Sequence, residues 1–180
     1  MSIDESWREI ERLLPPRIAA TLRPPASEES LQAWAETVGS LPQPLVELYS
    51  GHEGTDHAGG SKAFCFVGAW YPLPIESAIR YYHQVLLLTD LYNTAPLIPF
   101  AIGIDGSLLS VSPDGSAPVQ IVYTDGPGGV HLPSIESLVQ RTVAGLRDED
   151  PEYRLEITPD NLLWVHREYE AEHLGRGRCR

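Results

Sequence analysis

His52, Glu53, Asp56 and His57 form the densest local cluster of metal-ligand side chains, within a Gly51 to Gly60 stretch that holds four glycines. A helical zinc site places its two histidines at i and i+4 on one face, whereas i and i+5 lie about 140° apart around a helix axis. The glycines also argue against a helix, so the segment reads as a surface loop that meets a partner rather than a metal-holding turn. Gly126, Gly128 and Gly129 lack the Lys-Ser or Lys-Thr that completes a phosphate-binding loop, and Pro127 removes a backbone donor. His131 and Ser134 are close in sequence, but no G-x-S-x-G surrounds the serine, and its place before an apolar helical stripe makes it an N-cap. Cys65 lies between two phenylalanines with no basic residue nearer than Lys62, an environment that does not activate a thiolate. With no legible set of acid, base and nucleophile, the expectation is a non-enzymatic protein without metal or cofactor.

A second group of candidates is acidic. Asp148, Glu149 and Asp150, followed by Glu152, read as a solvated loop or, with Glu168, Glu170 and Glu172, as a negative patch for a partner. Trp164 joins them as a candidate interface anchor, because a partly exposed Trp is a common hot spot. Trp7, Trp34 and Trp70 sit at apolar positions and read as core. The whole chain of 180 residues carries 25 acidic and 13 basic side chains, a net charge of −12. Its cations are scattered apart from Arg176, Arg178 and Arg180, which disfavours nucleic acid and membrane surfaces and favours a basic partner. No apolar run approaches the roughly 20 residues of a membrane span, and Met1 to Glu11 is charged and amphipathic, so a cytoplasmic location is expected. Cys65 and Cys179 are expected as free thiols. Oligomeric state is not encoded legibly.

These residues must be positioned by one modest domain. Ile3, Trp7, Ile10 and Leu14 predict a helix over about 4–14, stopped by Pro15 and Pro16. Ser27 caps a second helix carrying Leu31, Trp34 and Val38 and ending at Gly39, and a third follows Pro42 to about Gly51. Residues 63–68 and 70–73 read as short strands, and Pro74 opens a helix reaching about Thr89. Between Leu97 and Thr124, Asp105-Gly106 and Asp114-Gly115 break apolar runs into a three-stranded antiparallel meander. Residues 125–129 read as a loop, Ser134 caps a helix carrying Leu138 and Val143, Tyr153 to Ile157 alternate as an edge strand, and a last helix is predicted from Leu162 to about Leu174. The fold class is therefore α+β: N-terminal helices, a central antiparallel meander sheet and C-terminal helices. The predicted core is Leu31, Trp34, Leu48, Phe100, Leu108, Val111, Ile121, Leu138 and Val143.

The order of motifs resembles the SUKH superfamily, which includes fungal cell-wall assembly regulators and many bacterial toxin-immunity proteins. The resemblance runs over about residues 7–147. It begins with Trp7 to Leu14 and a Pro-rich link, then Gly39-Ser40-Leu41-Pro42 leading through Leu48-Tyr49 to His52-Glu53-Gly54. Leu97-Ile98-Pro99-Phe100-Ala101 is similar to the family's "W-LPFA" strand, Gly106-Ser107-Leu108-Leu109 to its "GD-L", and Pro133-Ser134-Ile135-Glu136-Ser137-Leu138 to the opening of its C-terminal helix. The resemblance implies a SUKH-like domain over 1–147, with 148–180 an extension packed on the same domain and ending in a basic tail. It further implies an immunity protein that neutralises a nuclease-like bacterial toxin by direct binding, with a regulatory scaffold in cell-wall assembly or signalling as the alternative.

Overall fold

The computed structural model describes residues 1–56, 62–92, 95–116, 118–123, 126–158 and 161–168. Helix α1 (Ile3–Leu13) forms where the apolar stripe predicts a helix over about 4–14, starting one residue earlier. Ser2 is the N-cap: its hydroxyl accepts from the Glu5 amide, and the Glu5 carboxylate accepts from the Ser2 amide. Both orphan donors are thus satisfied. Ser2→Ala is expected to cost about 1 kcal/mol. Chemical denaturation reads this directly, and an unchanged midpoint would mean that the helix start is held by packing alone.

After α1 the Pro15-Pro16 stop is followed by a single short helix, α2 (Pro16–Ala19), not a plain linker. Helix α3 (Glu28–Val38) is capped by Ser27, and Gly39 leaves it at φ 93°, the left-handed region that glycine enters without steric cost. Helix α4 (Gln43–Gly51) follows, with Pro44 in its first turn. α1 lies on α4: the Trp7 indole Nε1 donates to Leu48 O over 2.9 Å. Gly51 makes this approach possible, since a Cβ there would collide with the Trp7 ring. Tyr49, fully buried, donates its hydroxyl to Leu73 O at 2.7 Å and ties α4 to the sheet.

The sheet has five antiparallel strands in chain order: β1 (Tyr71–Pro72), β2 (Ile98–Ile102), β3 (Leu108–Val111), β4 (Val119–Tyr123) and β5 (Gly126–Leu132). Helix α5 (Ile75–Tyr92) precedes β2 and packs against it. Every residue of β2 and β3 is buried, so both faces of the sheet centre are covered. Pro99 is tolerated in β2 because the pairing with β3 shifts register between Pro99 and Ala101, the kind of bulge at which a strand accommodates proline. The Asp-Gly turns form as the sequence predicts, with Gly106 at φ 84° and Gly115 at φ 68°.

Helix α6 (Ile135–Leu146) is capped by Ser134, whose hydroxyl accepts from the Ser137 amide, and it packs on α1. Across that contact Arg147 donates to Glu9, which also accepts from Arg12. These two guanidinium groups, Arg12 first, hold the Glu9 carboxyl down to about 2. The chain closes with a hairpin of β6 (Tyr153–Thr158) and β7 (Asn161–His166).

The α+β class thus stands, with three local corrections. Residues 126–129, expected as part of a loop, instead open strand β5, because Gly128 can lie against Ile121 O where any Cβ would clash. Residues 161–166 form β7 rather than a helix, since pairing with β6 overrides a short apolar run that fits either period. Residues 63–70 contain only an isolated bridge between Phe66 and Trp70. The predicted core is buried except for Leu31 and Ile121, which are half-buried and packed against it.

Candidate functional site

The first candidate group lies on a tethered segment. Glu53 N donates to Pro24 O, Arg23 N to Gly54 O and Asp56 N to Thr21 O, so residues 53–56 run alongside 21–24 as an extra pair of backbone segments. His52 is the α4 C-cap and a packing residue. Its Nδ1 lies 2.7 Å from Arg23 O, its Nε2 lies 2.8 Å from Glu11 Oε1, and its ring meets the Trp7 edge at 4.9 Å. It bolts α1, the 21–24 link and the end of α4 together, a role the sequence did not disclose. Asp56 is open to solvent but pairs with Arg23 Nε at 2.8 Å, and Arg23 also reaches Glu76 at 2.7 Å. Glu53 is half-buried, and His57 lies outside the described residues. Among the described residues no group of three or more His, Cys, Asp or Glu is placed to hold a metal ion.

The acidic run is a helix stop, not a loose loop. Asp148 takes φ 62° just past α6; its N–H donates to Gly145 O and the Glu149 N–H to Ala144 O, the paired bonds of a Schellman motif. Asp148 and Glu149 face solvent, with Asp148 paired to Arg167. Asp150 must be withdrawn from the partner-facing set, because its side chain is fully buried. It accepts from Arg141 Nε and Nη2 at 2.9 and 3.1 Å and from the amides of Glu152 and Tyr153 at 2.9 and 2.8 Å. Neutralising all three acids therefore carries a stability cost located at Asp150, contrary to the reading of a solvated loop.

Trp164 is likewise removed from the surface. It is only 8% exposed, packs on the helix α6 face that Gly145 leaves bare, and donates Nε1–H to Cys65 O at 3.3 Å. The hairpin's inward face, Leu162 and Trp164, completes the core that the first 147 residues leave open. Glu168 falls at the end of the described chain, and Glu170, Glu172 and the tail arginines lie outside it.

The remaining chemical candidates are taken up by structure. Burial pushes the Cys65 thiol up to about 12, and the Trp164 contact only partly opposes it. His131 sits against Trp70 at 5.4 Å; burial first, then Arg141, lower it, and Glu152 opposes. Ser134 spends its hydroxyl on the α6 cap, so it and His131 serve different elements.

One surface escaped the sequence. Leu87 is 72% exposed, Ile104 82% and Tyr123 44%, and Leu87 and Tyr123 line one groove between α5 and the sheet. The signal available was slight: Leu87 directly follows Leu86, which packs against the core, and a strand end such as Tyr123 faces either way. The chain matches no model of a known protein family and no curated protein. Among the described residues no helix is long and apolar enough to cross a membrane.

Proposed function

We propose that this is a SUKH-type immunity protein that binds and neutralises a basic, nuclease-like toxin domain and performs no chemistry of its own. The observation that carries this reading is the order of the motifs along the fold. Trp7 lies in α1, Gly39 to Pro42 joins α3 to α4, Leu97 to Ala101 leads into and runs along β2, Gly106 to Leu109 turns into β3, and Pro133 to Leu138 opens α6. The net charge of −12 supports a basic partner, since an acidic body competes with the polyanionic substrate that such a cleft is built to attract.

The direct experiment is co-expression with the C-terminal domain of any large secreted toxin found in an adjacent gene, scored as survival of the host. Survival only when the two are together supports the reading; killing at the same rate with and without this protein overturns it. Steering gives a second readout. Asp148→Asn with Glu149→Gln is expected to slow association with that domain several-fold at low salt, with little change in dissociation, and the difference should fade as salt screens it. Asn tolerates the left-handed backbone at 148, and the lost exposed pair with Arg167 costs at most about 1 kcal/mol, so thermal stability should hold. An unchanged association rate at low salt would place the steering charges elsewhere.

A further inference from the structure

We infer that the groove between α5 and the strand ends of β3 and β4 is the docking site for an apolar side chain of a basic protein partner. The inference takes the basic partner from the reading above and adds where it is gripped. The groove has a volume of about 260 Å³, room for a large side chain, and is walled by Tyr81, Val85 and Leu87 of α5 and by Leu108, Val122 and Tyr123 of the sheet. Leu108, Val122 and Val85 are buried and form a fixed floor, whereas Leu87 and Tyr123 project at the rim. Ile104 stands exposed on the β2–β3 turn whose Gly106 completes the wall. Two exposed large apolar side chains, Leu87 and Tyr123, thus share one groove above a buried apolar floor, the arrangement expected of an interface rather than of scattered surface leucines.

Charge selects the occupant. Among the described residues, none that lines the groove is an acid or a base. Beside them Asp105 accepts from both the amide and the hydroxyl of Ser107, and these bonds hold its carboxyl below the ordinary range. Arg80 lies over Tyr81, 5.8 Å from the ring centre, and turns back to Ser77. A second copy of this chain would bring another net charge of −12 against the same acidic body. A partner with lysine or arginine around an apolar anchor gains attraction at the rim and burial at the floor.

The probes are three labelled helical peptides of equal length: one with a leucine face and lysines opposite, one with glutamates replacing the lysines, and one with lysines but serines replacing the leucines. Fluorescence anisotropy is expected to show binding of the first alone. Leu87→Gln combined with Tyr123→Ser should weaken it at least tenfold. Val130→Ser, at an exposed site on β5 outside this groove, should leave it unchanged, and Asp105→Asn should weaken it two- to threefold at low salt. Equal binding of the lysine-leucine and glutamate-leucine peptides, or full binding by the Leu87 and Tyr123 double variant, overturns the inference. So does a wild-type dimer in sedimentation that Leu87→Gln dissolves, which would assign the groove to a second copy. Toxin protection that survives the double variant refutes this docking site and leaves the immunity reading intact; peptide binding here without any protection does the reverse.

Discussion

Replacing Asp150 with alanine is expected to destabilise the fold by about 3 to 5 kcal/mol, the range for breaking a buried ion pair from one side. The lower end applies, because Arg141 is 27% exposed and regains water, whereas the amides of Glu152 and Tyr153 lose their acceptor. Asp150→Asn keeps one acceptor oxygen and should lose less. The pH dependence separates charge from packing. Burial raises the Asp150 carboxyl, but Arg141 and the Tyr153 and Glu152 amides outweigh it and hold the group below its ordinary value. A depressed carboxyl contributes stability that is full above about pH 4, its unfolded value, and is lost as pH falls through the native value. The stability gap between wild type and Asp150→Asn should therefore be widest near about pH 6 and close toward about pH 2. A gap constant across that range would show that the carboxylate's charge is not what secures the hairpin.

Trp164→Ala is expected to cost about 3 to 5 kcal/mol, as for other buried Trp deletions, because it empties the space over Gly145 and strands the Cys65 carbonyl. A chemical readout accompanies it. With Cys179 changed to Ser, Cys65 is the only thiol, and in the native protein it is 1% exposed and held near its protonated form. Labelling by a disulfide reagent should be slow in that background and markedly faster once Trp164 is gone. If the loss is under about 1 kcal/mol and Cys65 stays unreactive, the hairpin is not part of the core.

Most of the fold was legible where local chemistry and tertiary demand agree. Ser27 and Ser134 cap, Gly39 stops α3 and the Asp-Gly pairs turn, because each solves a backbone problem within a few residues. The misreadings fall where distant partners decide. Glycine in β5 looked like a breaker, yet its missing side chain is what lets the strand lie against Ile121. Leu162 to His166 fits a helix as well as a strand until β6 is there to pair with it. The same reason governs the candidate site. Asp150 and Trp164 looked exposed because their partners, Arg141, Cys65 and Gly145, lie at separations in sequence that no periodicity links to them.

The clasp of α1 onto α6 has a consequence for how the protein comes into being. Glu9 meets Arg147, 138 positions later, and the apolar stripe of Ile3, Trp7 and Ile10 has its cover divided between α4 and α6. On a ribosome adding about 5 to 20 residues per second, the first helix emerges many seconds before the helix that closes over it. During that interval it presents a greasy, tryptophan-bearing face to whatever is nearby. Newborn chains are then most exposed to holdase chaperones and to one another before α6 clears the exit tunnel, and slowing synthesis of the last third should raise aggregation more than slowing the first.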